Sequence, residues 1–261
     1  MKGERKKVFL TVVIPCYNEA ENLQRGVLGE VRDYVRRQKF SWEVVISDDG
    51  STDESQKLVK RQIKGWRGFR LLLNSHGGKP SALWYGIKAA RGEYVLFSDM
   101  DQSTPIGEVG KLLLWVKKGY EVVIGSRGLE RKGFPLYRRM GARVFRTFRQ
   151  FLILAGIGDT QCGFKLFKRN RVKEAFPKLE FFRVKQRTKG WKVTSFDVEL
   201  LRILQKAGCK IREVVVEWQD RDVSKSKGGG LGKYVRESQE MLMQILRVKV
   251  NDMRGRYEID N

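Results

Sequence analysis

One stretch limits what this chain can become more than any other: Tyr94-Val95-Leu96-Phe97-Ser98-Asp99-Met100-Asp101. A continuous apolar run bounded by Gly92 and Thr104-Pro105, rich in β-branched and aromatic residues, reads as a central strand buried on both faces. It ends abruptly in two carboxylates one residue apart. Carboxylates at the carboxyl end of such a strand stand where open α/β sheets bind ligands. Asp99 and Asp101 there can share a divalent cation, which takes oxygen ligands and completes its shell with phosphate oxygens and water. The same two aspartates also fit as caps of a helix following Pro105.

Two more stretches repeat the pattern. Trp42 to Ser47 reads as a strand running into Asp48-Asp49-Gly50-Ser51-Thr52-Asp53, with a helix from Ser55 to Ile63 behind it. Phe9 to Ile14 reads as another, ending at Pro15-Cys16-Tyr17-Asn18-Glu19 before a helix from about Glu21 to Gln38. Strand, polar end and helix in succession are the signature of βαβ units, hence an α/β fold with a mostly parallel sheet between helices. The three polar ends then line one edge of that sheet.

A chain of 261 residues suits one domain with a substantial core. Cys16, Cys162 and Cys209 are too scattered for a disulfide framework, which points to a reducing compartment. With one histidine and no CxxC pair there is no zinc cluster. The basic start, Met1 to Lys7, leads only into a strand-length apolar run, so no signal peptide is expected. No apolar run reaches the length of a spanning helix.

The net charge is +23, most of it in residues 131–261. Its densest part runs from Arg131 to Arg149 without an acid, threaded by Leu136, Met140, Val144, Phe148, Phe151 and Leu152 at helical spacing. A basic amphipathic helix of this kind reads as a membrane-surface element, with each Lys or Arg near an anionic leaflet worth about 1 kcal/mol. A nucleic-acid partner is not expected, because no helix-turn-helix, zinc finger or RNP-like run accompanies the charge. Lys57 to Lys64 reads as ordinary solvation. Lys233 to Val250 carries a second helical stripe, including Met241, Leu242, Ile245 and Leu246, which suits packing on the domain and dipping into lipid equally.

The ordered motifs Pro15-Cys16-Tyr17-Asn18-Glu19, Asp48-Asp49-Gly50-Ser51, Asp99-x-Asp101 and Gly125-Ser126-Arg127 resemble the family 2 glycosyltransferases with a GT-A fold. Asp159 to Lys165 and Phe196 to Leu201 resemble the branch that makes dolichyl-phosphate glucose, with dolichyl-phosphate mannose synthases as near relatives. The resemblance spans roughly residues 8 to 230. It implies a GT-A domain over 1–232, with a nucleotide-sugar half over about 8–105 and an acceptor half over about 106–232. An amphipathic helix and tail follow over 233–261.

The site residues carried over are these. Pro15, Tyr17, Glu19 and Ile46 would border the nucleotide, and Asp48 and Asp49 would hydrogen-bond the base. Lys79, in His76-Gly77-Gly78-Lys79 ahead of Pro80, would reach the nucleotide, with Met100 beside it. Asp101 would be the direct ligand of Mg²⁺ or Mn²⁺, with Asp99 either supporting it or touching the ribose. Ser103 stands where mannose synthases place a Gln. Arg127, Arg138 and Arg139 would hold the acceptor phosphate in guanidinium forks. Arg221 and either Lys225 or Lys227 would close over the diphosphate, and Asp197 with Glu199 would orient the acceptor side.

A phosphate acceptor is already anionic near neutral pH, so positioning and neutralisation of the leaving group replace a strong general base. The expected reaction is inverting transfer of glucose from UDP-glucose to a polyprenyl phosphate by a peripheral enzyme at the cytoplasmic membrane face. The alternatives are GDP-mannose or another sugar nucleotide, or a soluble acceptor. A membrane-anchored partner subunit or a homo-oligomer is compatible with this. No Gln-x-x-Arg-Trp motif is present, which argues against processive polysaccharide synthases.

Overall fold

In a computed structural model, residues 7–128, 153–154, 156–183, 196–223 and 231–258 are described, the side chains of 231–238 and 241 aside. Seven strands form one sheet: β1 (Leu10–Cys16), β2 (Trp42–Asp48), β3 (Phe69–Leu73), β4 (Tyr94–Phe97), β5 (Val122–Ser126), β6 (Lys165–Lys168) and β7 (Ile211–Val215). Their order is β3-β2-β1-β4-β6-β5-β7. All neighbours run parallel except β6, which lies antiparallel between β4 and β5. β1 therefore has β2 and β4 on either side, and the three polar strand ends expected from the sequence do meet along one edge.

The central strands are buried on both faces, as their unbroken apolar runs require. Val13, Val95 and Phe97 pack with Leu83 and Ile87 of α4 (Lys79–Ala89), and with residues of α6 (Arg169–Ala175), α8 (Phe196–Lys206) and α9 (Leu231–Met253). Val12, Ile14, Leu96 and Ile46 face the opposite layer, α2 (Val27–Arg36), α3 (Ser55–Gln62) and α5 (Val109–Val116). α7 (Glu180–Arg183) is a single turn. The result is a three-layer α/β/α arrangement.

The structure departs from the expected elements in three places. The helix read from Glu21 to Gln38 is two, α1 (Ala20–Gln24) and α2, because Gly26 sits at φ +81° in the left-handed region between them. The β4 ladder stops at Phe97, and the chain turns through Ser98 to Gln102, where Gln102 takes φ +52°. The edge strands β3 and β7 and the inserted β6 were not read from the sequence at all. Among the described residues, no helix is long and apolar enough to cross a membrane.

Candidate active site

The ends of β1 and β2 are stitched together by their own polar residues. Asn18, at φ +54°, accepts from the Thr52 N–H at 2.9 Å, and Ser51 Oγ accepts from the Asn18 N–H at 3.0 Å. Asp48 is fully buried and accepts from the N–H groups of Gly50 and Ser51, from Ser51 Oγ at 2.6 Å and from Gln56 Nε2 at 2.7 Å. Its carboxylate thus shapes the loop. Asp49 accepts from the N–H groups of Gly77 (3.0 Å) and Gly78 (2.7 Å) and lies 2.9 Å from His76 Nδ1. His76 stacks on Tyr17 with ring centroids 4.4 Å apart. A base reaching Asp48 or Asp49 would share these carboxylates with the loop donors. Pro15 and Ile46 are buried along the strands, and Met100 is buried in the core under the site.

The turn after β4 is the centre of the site. Lys79, the first residue of α4, reaches across to Asp99 Oδ1 at 2.5 Å. Burial opposes ionisation of Asp99, but Lys79 first, then Lys165 and Arg127, hold its carboxyl below the usual range. Burial likewise opposes charge on Lys79, and Asp99, Asp197 and Asp101 outweigh it and keep the ammonium protonated. Gly163 backs this pair: a Cβ there would stand 2.6 Å from Asp99 Cγ and 2.8 Å from its Oδ1.

Asp101 is held differently. Ser103 donates to it twice, from its N–H at 2.9 Å and its Oγ at 2.7 Å. Burial, then the charges of Asp99 and Asp222, push its carboxyl up in spite of those bonds. Glu19, which accepts from Asn22 Nδ2 at 2.6 Å, is pushed to about 7 by burial and by Asp222, Asp101 and Asp99. Gln102 Oε1 is buried without a hydrogen-bond partner among the described residues. This oxygen-rich side, with carboxyls pushed up by burial and then by neighbouring carboxylates, fits a hard divalent cation. Among the described residues, no three His, Cys, Asp or Glu side chains form a ready-made cation cage.

Opposite the acids stand cations, each already partnered. Lys165 is 1% exposed at the start of β6 and meets Asp197 Oδ1 at 2.6 Å and the carbonyl of Cys162. Arg127, just past β5, forks onto Asp159 at 2.8 and 2.9 Å, and burial of Asp159 is outweighed by that guanidinium, which holds its carboxyl far below the usual range. Arg221 donates its backbone N–H to Ser103 Oγ, while its guanidinium forks onto Glu30 of α2 at 2.7 and 2.8 Å. It is thus parked on α2. Glu199 points away from Asp197 and bonds the Glu180 N–H and Tyr257 Oη.

Sequence reasoning missed Lys165, Asp159, Asn22, Asp222 and Gly163 as site residues. For Lys165 one signal existed, a lysine embedded between Phe164 and Leu166-Phe167 where a solvated charge has no place. Arg138, Arg139, Lys225, Lys227 and the basic helix expected from Arg131 to Arg149 lie outside the described residues.

An α/β/α sheet with acidic ends on β1, β2 and β4 is the GT-A glycosyltransferase architecture. Glucosyl-3-phosphoglycerate synthase from Mycobacterium tuberculosis, solved with Mn²⁺, UDP-glucose and phosphoglyceric acid, superposes with TM-score 0.62 over 93% of this chain and 80% of its own, at 19% identity. The mannosyltransferase PcManGT from Pyrobaculum calidifontis, solved with GDP-mannose and Mn²⁺, gives 0.59 over 91% and 63%, at 20% identity. The chain belongs to glycosyl transferase family 2, whose family model matches residues 11–176. Within that family it is similar to the dolichyl-phosphate beta-glucosyltransferase ALG5D of Trichomonas vaginalis, 31% identical over 95% of this chain and 75% of that protein. The dolichyl-phosphate beta-glucosyltransferases of Dictyostelium discoideum (32%; 99% and 79%) and Homo sapiens (33%; 83% and 69%) are similarly related.

Proposed function

We propose that this chain transfers glucose from UDP-glucose to a dolichyl-type polyprenyl phosphate, with inversion at the anomeric carbon, as a peripheral enzyme on the cytoplasmic face of a membrane. The observation that carries the reading is the turn after β4, where Asp99 and Asp101 stand side by side at the sheet edge, one paired to Lys79 and the other bonded by Ser103. The glucose and the lipid acceptor are supported by the names of the relatives.

Asp101, with Asp99 behind it, would hold Mg²⁺ or Mn²⁺, and the cation would supply charge neutralisation to the departing nucleoside diphosphate. Ser103 is the nearest supporting group, since its two donor bonds fix the Asp101 carboxylate. The acceptor phosphate attacks as an anion, so the chain's own task is to orient it and keep water out. Arg127 and the Lys165–Asp197 pair are the cationic groups on that side. Arg221 reaches the donor only after leaving Glu30.

The test is a panel of sugar nucleotides offered with a short-chain polyprenyl phosphate and Mn²⁺. UDP-glucose should give glycolipid product, and Asp101→Asn should remove most of it without changing the melting curve. Product from GDP-mannose alone would overturn the sugar assignment, and full activity of Asp101→Asn in chelator would overturn the metal assignment.

A further inference from the structure

Half of the large apolar side chains that are exposed among the described residues sit on one helix, α9: Leu242, Met243, Leu246, Val250 and Met253. At 3.6 residues per turn these five fall on a single arc of about 100°. The opposite side of α9 is fixed. Ile245 and Val248 are fully buried in the core, and Asp252 forks with Arg202 at 2.6 Å and Lys206 at 3.1 Å. Asn251 donates to Glu180 at 3.0 Å. The helix cannot roll to hide its outer stripe without breaking these bonds. Met243 and Met253 are 66% and 76% exposed, far beyond what an edge of a core contact requires.

The charge around the stripe is mainly of one sign. From Met241 to Asn251 the helix carries no acid, Arg247 and Lys249 stand on either flank of the apolar arc, and Arg254 follows at its end. Asp252, on the inner side, is already taken by Arg202 and Lys206, and Glu240 stands at the N-terminal end of the stripe on the flank that carries Arg247. A long apolar stripe flanked by three cations against one exposed acid, Glu240 at its N-terminal end, on a chain of net charge +23, complements an anionic, lipid-coated plane and disfavours a second copy of itself.

We infer that this outer face of α9 docks on an anionic lipid surface. Leu242, Met243, Leu246, Val250 and Met253 enter the boundary between headgroups and acyl chains, and Arg247, Lys249 and Arg254 meet lipid phosphates. The inference deepens the proposed acceptor reading, because a polyprenyl phosphate is offered only at such a surface, yet it is tested separately.

The experiment sediments the full chain with phosphatidylglycerol–phosphatidylcholine vesicles at low and high salt. Added salt should weaken binding and leave a residual fraction held by apolar contact. Replacing Met243, Leu246, Val250 and Met253 together by Ser should remove that residual fraction and lower partitioning roughly tenfold or more, with an unchanged melting curve. Lys249→Gln with Arg254→Gln should instead lower only the salt-sensitive part. Wild-type binding by the four-serine variant would overturn the inference, as would its unfolding, which would make the stripe core. A wild-type dimer that the variant converts to monomer would assign the face to a second copy and overturn it too. Wild type and variant should glucosylate a short, water-soluble polyprenyl phosphate equally without vesicles. Failure of both to glycosylate any polyprenyl phosphate would sink the proposed function and leave the vesicle result standing.

Discussion

Gly163→Ala is the sharpest perturbation the site offers, because a single methyl would be driven into the Asp99 carboxylate. The new Cβ would lie 2.6 Å from Asp99 Cγ, whereas carbon atoms in contact rest at about 3.5–4.0 Å. Asp99 Oδ2 lies closer still to the new Cβ, so something must yield by about 1 Å or more. The 162–164 loop is held from behind: the Gly125 N–H donates to the Phe164 carbonyl at 2.8 Å, and a Cβ on Gly125 would already be 3.0 Å from that oxygen. Asp99 is the part that moves, and moving it by about 1 Å breaks its 2.5 Å contact with Lys79. Overpacking of this kind costs about 1–3 kcal/mol. The Lys79–Asp99 pair is partly solvent-exposed, so its loss adds only about 1 kcal/mol after screening. Displacing a reacting-site group by about 1 Å costs on the order of 100-fold in rate. The expected outcome is a kcat/KM for sugar nucleotide down about 100-fold, with a melting temperature lower by on the order of 5–15 °C. Differential scanning calorimetry and turnover should be run alongside a double-mutant cycle, in which Gly163→Ala in an Asp99→Ala background is nearly neutral for stability because the clashing atoms are gone. Equal destabilisation by Gly163→Ala with and without Asp99, or unimpaired turnover of the single variant, would refute the reasoning.

Three further outcomes follow from the charged pairs. Glu19 has a folded pKa of about 7 against an ordinary 4.5, so wild-type stability falls as pH rises through that window and the full cost is present above it. Glu19→Gln should therefore be more stable than wild type at pH 8, by about 3 kcal/mol, and equal it near pH 4. Asp159 is held low by Arg127, so its contribution is present above its ordinary value and is lost as pH falls through the depressed one. Asp159→Asn should cost about 3 kcal/mol at pH 7 in chemical denaturation, with the difference shrinking in strong acid. Lys165→Met leaves the half-buried Asp197 without its ammonium partner and should cost about 3 kcal/mol; adding Asp197→Leu should recover stability, and further loss in the double variant would contradict the pairing.

Asp99 and Asp101 were legible in the sequence because a buried strand cannot carry charge until it ends, so an abrupt change in composition marks the sheet edge. The ends of β1 and β2 were legible for the same reason. Lys165 and Asp197 were not, because 32 residues separate them and β6 reverses direction between β4 and β5. The pairing is a product of topology, and no local spacing encodes it. Gly26 escaped notice because the apolar period of α1 and α2 runs through it, and only its positive φ divides them. On α9 the apolar residues looked like one stripe, although Ile245 packs inward and Leu242 and Leu246 face out. Two apolar faces on one helix blur into a single broad period when only spacing is read.

The arrangement of charge supports the proposal that this sheet edge takes a diphosphate donor and a phosphate acceptor together. Replacing a buried ion pair by apolar groups is often neutral or stabilising, so retaining Lys165–Asp197 and Arg127–Asp159 beside the more exposed Lys79–Asp99 pair does not serve stability. Each cation is instead fixed in place by its own carboxylate, which prevents it from collapsing onto a neighbour. On the facing side, burial first, and then the charges of Asp222 and Asp99, push the carboxyls of Glu19 and Asp101 up. That side favours an added cation, and the opposite side favours an added anion. A cation and a phosphate-bearing ligand arriving together satisfy both sides, whereas either alone leaves one unbalanced. Sugar-nucleotide affinity should therefore rise with Mn²⁺ by more in wild type than in Glu19→Gln, which relieves the acidic side in advance. Calorimetric titration with and without Mn²⁺ measures the difference, and equal Mn²⁺ dependence in the two proteins would show that the acidic side does not act as a unit.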